Sequence, residues 1–257
     1  MEFFDSHSHL NDEQFDEDRL DIINKYKSEN ITKFLTCGYS LEGSKKAIEI
    51  ADNYDFTYAT VGISPNDIPQ NEDELWKSIA QIEELAKNKK VVAIGEIGLD
   101  YYWNKDNKNI QQEVFKKQIE IANKLDLPIV IHTRDAIMDT LQILKENVVL
   151  NKGVFHCCPL NRELIKEALK LNFYISFSGV ITFKNAKNVD EIINIVPIDK
   201  MLIETDSPYL APEPVRGTRN NSINVKYVAQ KIALSKNISI EEVAKITYDN
   251  ANKLFKI

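Results

Sequence analysis

Phe3-Phe4-Asp5-Ser6-His7-Ser8-His9 opens on apolar residues and ends on two histidines one residue apart. Four other stretches share that design: VVAIGE from Val91 to Glu96, PIVIH from Pro128 to His132, GVFH from Gly153 to His156, and MLIETD from Met201 to Asp206. Each is rich in Val, Ile, Leu or Phe and is stopped by polar residues, the pattern of a buried strand. In a barrel of eight parallel strands the downstream strand ends face the site of chemistry. All four histidines, His7, His9, His132 and His156, fall at such ends, as do Glu96 and Asp206. If strand ends are roughly one residue in ten of such a barrel, and His7 and His9 count once, chance placement has odds of about one in a thousand. Histidines placed only for packing would scatter.

Eight strand candidates can be counted: Phe3 to His9, Ile31 to Gly38, Thr57 to Ile63, Val91 to Leu99, Pro128 to Thr133, Gly153 to Cys157, Phe173 to Ser178 and Met201 to Asp206. Between them, Gln14 to Glu29, Leu41 to Asn53, Asp73 to Asn88, Ile110 to Leu125, Asp135 to Asn147, Asn161 to Leu171 and Lys187 to Ile195 repeat apolar residues at spacings of three and four, the mark of amphipathic helices. Strict alternation means parallel strands with crossover helices, so the expected fold is α/β, a (β/α)₈ TIM barrel. Ser222 to Ser235 and Ile240 to Leu254 read as two further C-terminal helices that close the barrel and cover its side. With no Gly/Ser-rich or Pro-rich linker, residues 1–257 read as one domain.

Bulk properties narrow the function. With 43% hydrophobic and 28% charged residues, the chain can bury a large core beneath a solvated exterior, which excludes disorder. Met1 to Phe4 runs straight into Asp5 without a basic or apolar leader, and no stretch of about 18 apolar residues occurs, so neither secretion by that route nor a membrane span is expected. The three cysteines, Cys37, Cys157 and Cys158, have no CxxC spacing, and a reducing cytoplasm fits best. A net charge of −7 and a pI near 5.3 argue against coating nucleic acid by bulk electrostatics. They leave room for an enzyme whose metal ions and few local arginines draw phosphate into one cleft. No obligate protein partner is evident.

The strand-end residues form a candidate metal site of a hydrolase. His7 and His9 lie two apart on a strand, so both rings point to one face and can bind one ion. Glu96 ends a buried run and needs a partner to stay charged, which a metal supplies, while Gly95 and Gly98 allow close backbone approach there. His132 and His156 suit neutral imidazole ligands, and Asp206 can both coordinate an ion and take the proton of an attacking water. Glu204 shares the face of Asp206 and reads either as a site residue or as barrel core. Four imidazoles and two carboxylates exceed one tetrahedral ion. The expected arrangement is one divalent ion on His7, His9 and Asp206, a second on His132 and His156, and Glu96 bridging. Imidazole-rich coordination favours zinc, manganese, iron or nickel over magnesium, but availability can decide, so zinc, manganese and magnesium all stand as candidates.

The segments DSHSHL, GEIGLDYYW, IHTRDA, FHC, SFSGVITFKNA and IETDSPYLAPEPVRGTRN together resemble the TatD family of metal-dependent deoxyribonucleases within the amidohydrolase superfamily, from Asp5 to about Phe255. The resemblance implies the barrel, the six ligands, and hydrolysis of DNA phosphodiesters, often as a 3′ to 5′ exonuclease. It also implies that Arg134, Tyr209, Arg216 and Arg219 lie on the substrate side. Two departures stand out. Ser64 and Asn66 occupy positions where the family commonly has histidines, and Cys157-Cys158-Pro159-Leu160 replaces an aromatic and small residues after the sixth strand. Cys158 reads as packing more readily than as a ligand. Tyr101, Tyr102 and Trp103 can stack on bases or form a hydrophobic lid. The rival readings are a hydrolase of small esters, amides or aminoacyl bonds, and a non-catalytic binding barrel that kept its ligands for stability.

Overall fold

The computed structural model describes residues 1–257, and the expected strands all form. They are β1 (Phe3–Ser8), β2 (Ile31–Cys37), β3 (Thr57–Val61), β4 (Val91–Asp100), β5 (Ile129–Arg134), β6 (Gly153–Phe155), β7 (Tyr174–Phe177) and β8 (Met201–Ile203). Each pairs in parallel with the next, in the order β1 to β8. The seam between β8 and β1 is drawn together just past the end of β8. There the Asp206 N–H donates to the His7 carbonyl at 3.0 Å and the His9 N–H to the Ser207 carbonyl at 2.7 Å. The result is a nearly closed (β/α)₈ barrel. No helix is long and apolar enough to cross a membrane.

The crossover helices are α1 (Arg19–Tyr26), α2 (Leu41–Asp52), α3 (Glu72–Leu85), α4 (Lys108–Lys124), α5 (Ile137–Glu146), α6 (Arg162–Lys170) and α7 (Val189–Ile195). Side-chain caps set several starts: Ser40, Asn71 and Asn161 accept the N–H groups of Gly43, Glu74 and Leu164, which the helix itself leaves unpaired. The run Gln14 to Glu29 is not one helix. A 3₁₀ turn over Glu13–Phe15 precedes α1, because Arg19 folds back onto the carbonyls of Leu10 and Asp12, and a second 3₁₀ turn over Lys27–Glu29 ends at left-handed Asn30.

Two apolar layers divide the core. Phe3, Ile31, Phe34, Ile94, Ile131 and Ile203 pack against the helices, whereas Phe4, Leu35, Val92, Val130, Val154 and Leu202 meet one another inside the barrel. The inner layer is stoppered at its base by α9 (Ile240–Phe255), whose Leu254 and Phe255 join it, and α8 (Val225–Lys236) packs on the side. Above the inner layer the filling turns polar. Strand register shifts between Asp5 and Ser8 and between Ile94 and Ile97, around His7 and Glu96, where a bulge re-aims side chains.

Asp5 straps the seam from within: its two carboxylate oxygens accept the Thr205 N–H at 2.9 Å and the Thr205 hydroxyl at 2.6 Å. Burial pushes its pKa up to about 7, against the hydrogen bonds of Ser222 and Thr205. The folded chain therefore keeps a proton that the unfolded chain loses near its ordinary value of about 3.9, so this group's contribution to stability falls as pH rises between those values. Urea unfolding of the protein and of Asp5→Asn at pH 5 and pH 8 should show wild type losing stability relative to the variant at the higher pH. Parallel changes in the two proteins would refute the shift.

Candidate metal centre

Glu96, buried midway along β4, turns its two oxygens to different partners. Oε2 lies 3.5 Å from His7 Nε2 and 3.4 Å from His9 Nε2, while Oε1 lies 2.9 Å from His132 Nδ1 and 3.2 Å from His156 Nε2. Asp206 Oδ1 completes the first group at 3.6 Å from His7 and 3.4 Å from His9, whose ring nitrogens are themselves 3.2 Å apart. A tetrahedral ion with ligands at about 2.1 Å separates those ligands by about 3.4 Å. The second group is as tight, with His132 Nδ1 and His156 Nε2 3.2 Å apart. The donor set therefore fits divalent cations: six residues offer nitrogen and oxygen donors, in two groups that share one carboxylate.

The fold explains the convergence. His7 lies one residue before the end of β1 and His9 just past it, Glu96 and His132 lie on neighbouring β4 and β5, and His156 follows β6, its N–H still donating to the Ile131 carbonyl at 3.0 Å. Asp206 lies past β8 in a left-handed conformation with φ 53°, which aspartate tolerates better than most residues. At Gly98, φ is +140° and a Cβ would sit 2.0 Å from the His132 carbonyl oxygen, so only glycine lets β4 approach β5 there.

Behind each ring stands a second group. His9 Nδ1 lies 3.0 Å from the Cys37 carbonyl, His132 Nε2 2.9 Å from Asp100 Oδ2, His156 Nδ1 3.4 Å from Glu204 Oε1, and His7 Nδ1 3.3 Å from Cys37 Sγ. Such partners select the tautomer that aims the other nitrogen at a cation. Glu204 thus touches the site through His156, and its Oε1 also accepts the Cys157 N–H at 2.6 Å. Asp100 escaped the sequence reading. Its signal was the spacing of four residues from Glu96 within an unbroken buried strand.

The electrostatics oppose burial with mutual attraction. Burial alone would raise the Glu96 pKa, but His156, His132 and His7 hold it well below the usual carboxylate range. Burial alone would lower that of His9, but Asp206 and Glu96 push it up to about 10. Asp206 is held down at about 2, its own burial outweighed by His9, His156 and His7. His7 goes the other way, lowered by burial and by His156, whose ring stacks on it at 3.9 Å.

The four residues expected on the substrate side differ in freedom. Arg134 ends β5 with its guanidinium 3.8 Å over the Tyr102 ring, and Arg216 lies 3.3 Å over Phe183; neither pairs with a carboxylate. Tyr209 donates to Asp12 Oδ2 at 3.0 Å. Arg219 is engaged with Asp18 and the Gln14 carbonyl, and so ties the loop after β8 to the turn before α1. Ser64 donates to Asp67 at 2.7 Å and Asn66 to Asp100 at 3.2 Å. Cys158 is buried with no hydrogen-bond partner beyond a weak one to the Pro159 carbonyl, in keeping with packing.

Residues 4–256 match the family described as TatD related DNase. The chain is 46% identical to the uncharacterized metal-dependent hydrolase YabD of Bacillus subtilis, over 99% of each chain. It is 39% identical to the uncharacterized metal-dependent hydrolase YcfH of Escherichia coli K12, over 100% of this chain and 97% of that one. Among solved structures it superimposes on YJJV, a TatD homolog from Escherichia coli K12, with a TM-score of 0.93 at 25% identity, covering 99% of this chain and 98% of that one.

Because a cation entering the cage must displace the proton His9 holds at neutral pH, zinc affinity should fall as pH falls, about tenfold per unit for each proton released. Competition titrations against a zinc indicator at pH 6.5 and 7.5, with proton release measured calorimetrically in two buffers, read this directly. Affinity independent of pH would contradict the protonated cage.

Proposed function

The chain belongs to the TatD related DNase family and is a metal-dependent hydrolase, and on that premise we propose that it hydrolyses DNA phosphodiester bonds, as a 3′ to 5′ exonuclease, at the mouth of the barrel. The observation that carries the reading is the division of Glu96 between two imidazole groups, which supports room for two divalent ions. His7, His9 and Asp206 would hold one ion, His132 and His156 the other, and Glu96 both. When bound, such a pair supplies Lewis-acid stabilisation of both the attacking and the leaving oxygen and lowers the pKa of water.

The protein's own groups account for the remaining steps. Asp206, ionised at neutral pH and slightly open to the mouth, receives the proton of the attacking water. Asp100 keeps the ring of His132 from turning, and Glu204 stands behind that of His156. Arg134 and Arg216 can each offer phosphate two parallel hydrogen bonds without first breaking an ion pair. Arg219 would have to abandon Asp18 to do so, and serves as a strut for the loop.

The rival is a hydrolase of small esters, amides or aminoacyl bonds. It is favoured by Ser64 and Asn66, both committed to carboxylates where an imidazole could otherwise protonate a leaving group. A reconstituted assay comparing end-labelled single-stranded DNA with a panel of small esters and amides separates them. Turnover of the panel without DNA cleavage would overturn the nuclease reading.

Two variants test the assigned roles. Asp206→Asn should lose about 10²-fold or more of the hydrolysis, as expected for a lost general base, while elemental analysis finds most of the metal retained; unchanged turnover would move the base elsewhere. Arg216→Ala should weaken DNA turnover and flatten its salt dependence while sparing an uncharged ester. Arg219→Ala should lower Tm slightly and leave turnover near wild type. Equal losses on DNA and ester from Arg216→Ala would contradict a phosphate contact.

A further inference from the structure

Past Glu96 the chain leaves β4 through Tyr101, Tyr102 and Trp103, and the three rings have different fates. Tyr101 is core: it is 6% exposed, and its hydroxyl donates to Asp139 at 2.7 Å. Tyr102 and Trp103 remain 48% and 65% exposed, edge to face with ring centroids 4.8 Å apart. Arg134 lies across both, 3.8 Å from the Tyr102 centroid and 5.5 Å from that of Trp103. Beside them runs a groove of about 500 Å³, lined among others by Lys108, Arg134, Asp135 and Met138. Lys108 rests on Tyr101 at 4.3 Å and, like Arg134, has no acidic partner.

Asp100 fixes this turn to the metal centre. Its Oδ1 accepts the backbone N–H groups of Tyr102 at 2.9 Å and Trp103 at 3.1 Å, while its Oδ2 faces His132 Nε2 at 2.9 Å and takes the Asn66 amide at 3.2 Å. One buried carboxylate thus holds two exposed aromatic residues and a ring of the cage. Arg134 shares the strand face of His132, two residues upstream. A lid would have to swing, and this turn cannot without breaking the bonds that also position His132. Nor is the patch a continuous apolar face of the kind a protein partner would cover, since guanidinium, ammonium and carboxylate groups interrupt it.

We propose that Tyr102, Trp103 and Arg134 form a stacking subsite that holds an unpaired nucleobase by its face next to the bond being cut. The inference rests on the phosphodiesterase reading above and adds a ligand class and a place to it. Aromatic and guanidinium planes hold bases by their faces, which every base offers and a stacked duplex conceals. Asp100 is a positioning residue here, setting the distance from the stacked base to the cage.

The test uses full-length, metal-loaded Asp206→Asn protein, which should bind without cutting, and two labelled ligands: a thymidine hexanucleotide and an abasic sugar-phosphate hexamer. Trp103→Ala should weaken hexanucleotide binding at least about fivefold, in line with the loss of one stacked base, and leave abasic binding within about twofold. Trp103→Phe should restore most of the affinity. Of the two tryptophans, Trp76 lies on α3, so the hexanucleotide should quench a fluorescence component that Trp103→Phe removes. With Asp206 restored, Trp103→Ala should still hydrolyse methyl 4-nitrophenyl phosphate, a phosphodiester with no base, at the wild-type rate. Equal losses for base-bearing and abasic ligands, or none for either, would overturn the subsite while turnover of that phosphodiester keeps the phosphodiesterase reading standing. A wild-type protein that turns over neither DNA nor that phosphodiester overturns both.

Discussion

A carboxylate buried among four imidazoles is the constraint around which this barrel is arranged. Desolvating Glu96 costs several kcal/mol unless positive charge is brought to it, and the chain brings it at once from β1 and β5 and from the residues just past β1 and β6. Neither group of donors exists without the other, because each claims one oxygen of the same side chain. That shared dependence sets the bulges at His7 and Glu96, the glycine at position 98 and the second row of Cys37, Asp100 and Glu204. The apolar layers below could be repacked with fewer consequences, since cores tolerate volume-conserving change better than buried charge tolerates a lost partner.

The order of strands and helices could be read from the chain because apolar runs and amphipathic periods report burial directly. The groups at the strand ends could be read for a related reason: polar residues that interrupt an apolar run at its downstream end have few purposes in a parallel barrel. The tilt of side chains away from simple alternation could not. Strict period-two counting places Phe4 and Ser6 inward and would send His7 outward; the register shift between Asp5 and Ser8 turns it back, and such shifts leave no mark in composition. Asp100 was hidden for a similar reason, since in sequence it is one more polar residue before a loop and only the fold brings it beside His132. Arg219 is a further case. Its pairing with Asp18, 201 residues earlier, left no mark in the sequence.

The departures from the family pattern are absorbed locally. Asn66 stands where a histidine is common and hydrogen-bonds Asp100, so the position still feeds into the support of His132, by an uncharged amide in place of a titrating ring. Kinship with the family therefore does not by itself fix how a leaving group departs.

The seam carries one more implication. His7 and Asp206 belong to the first and last strand regions, and their backbones hydrogen-bond to each other where the barrel comes together. During synthesis the cage cannot be assembled until Asp206 has left the ribosome, because no N-terminal fragment ending before it has all the donors. Any cation held there would act as a clasp across the two ends of the chain, and the loop it shuts is among the longest the molecule offers, so its release would loosen the barrel along the line where the sheet has the fewest rungs.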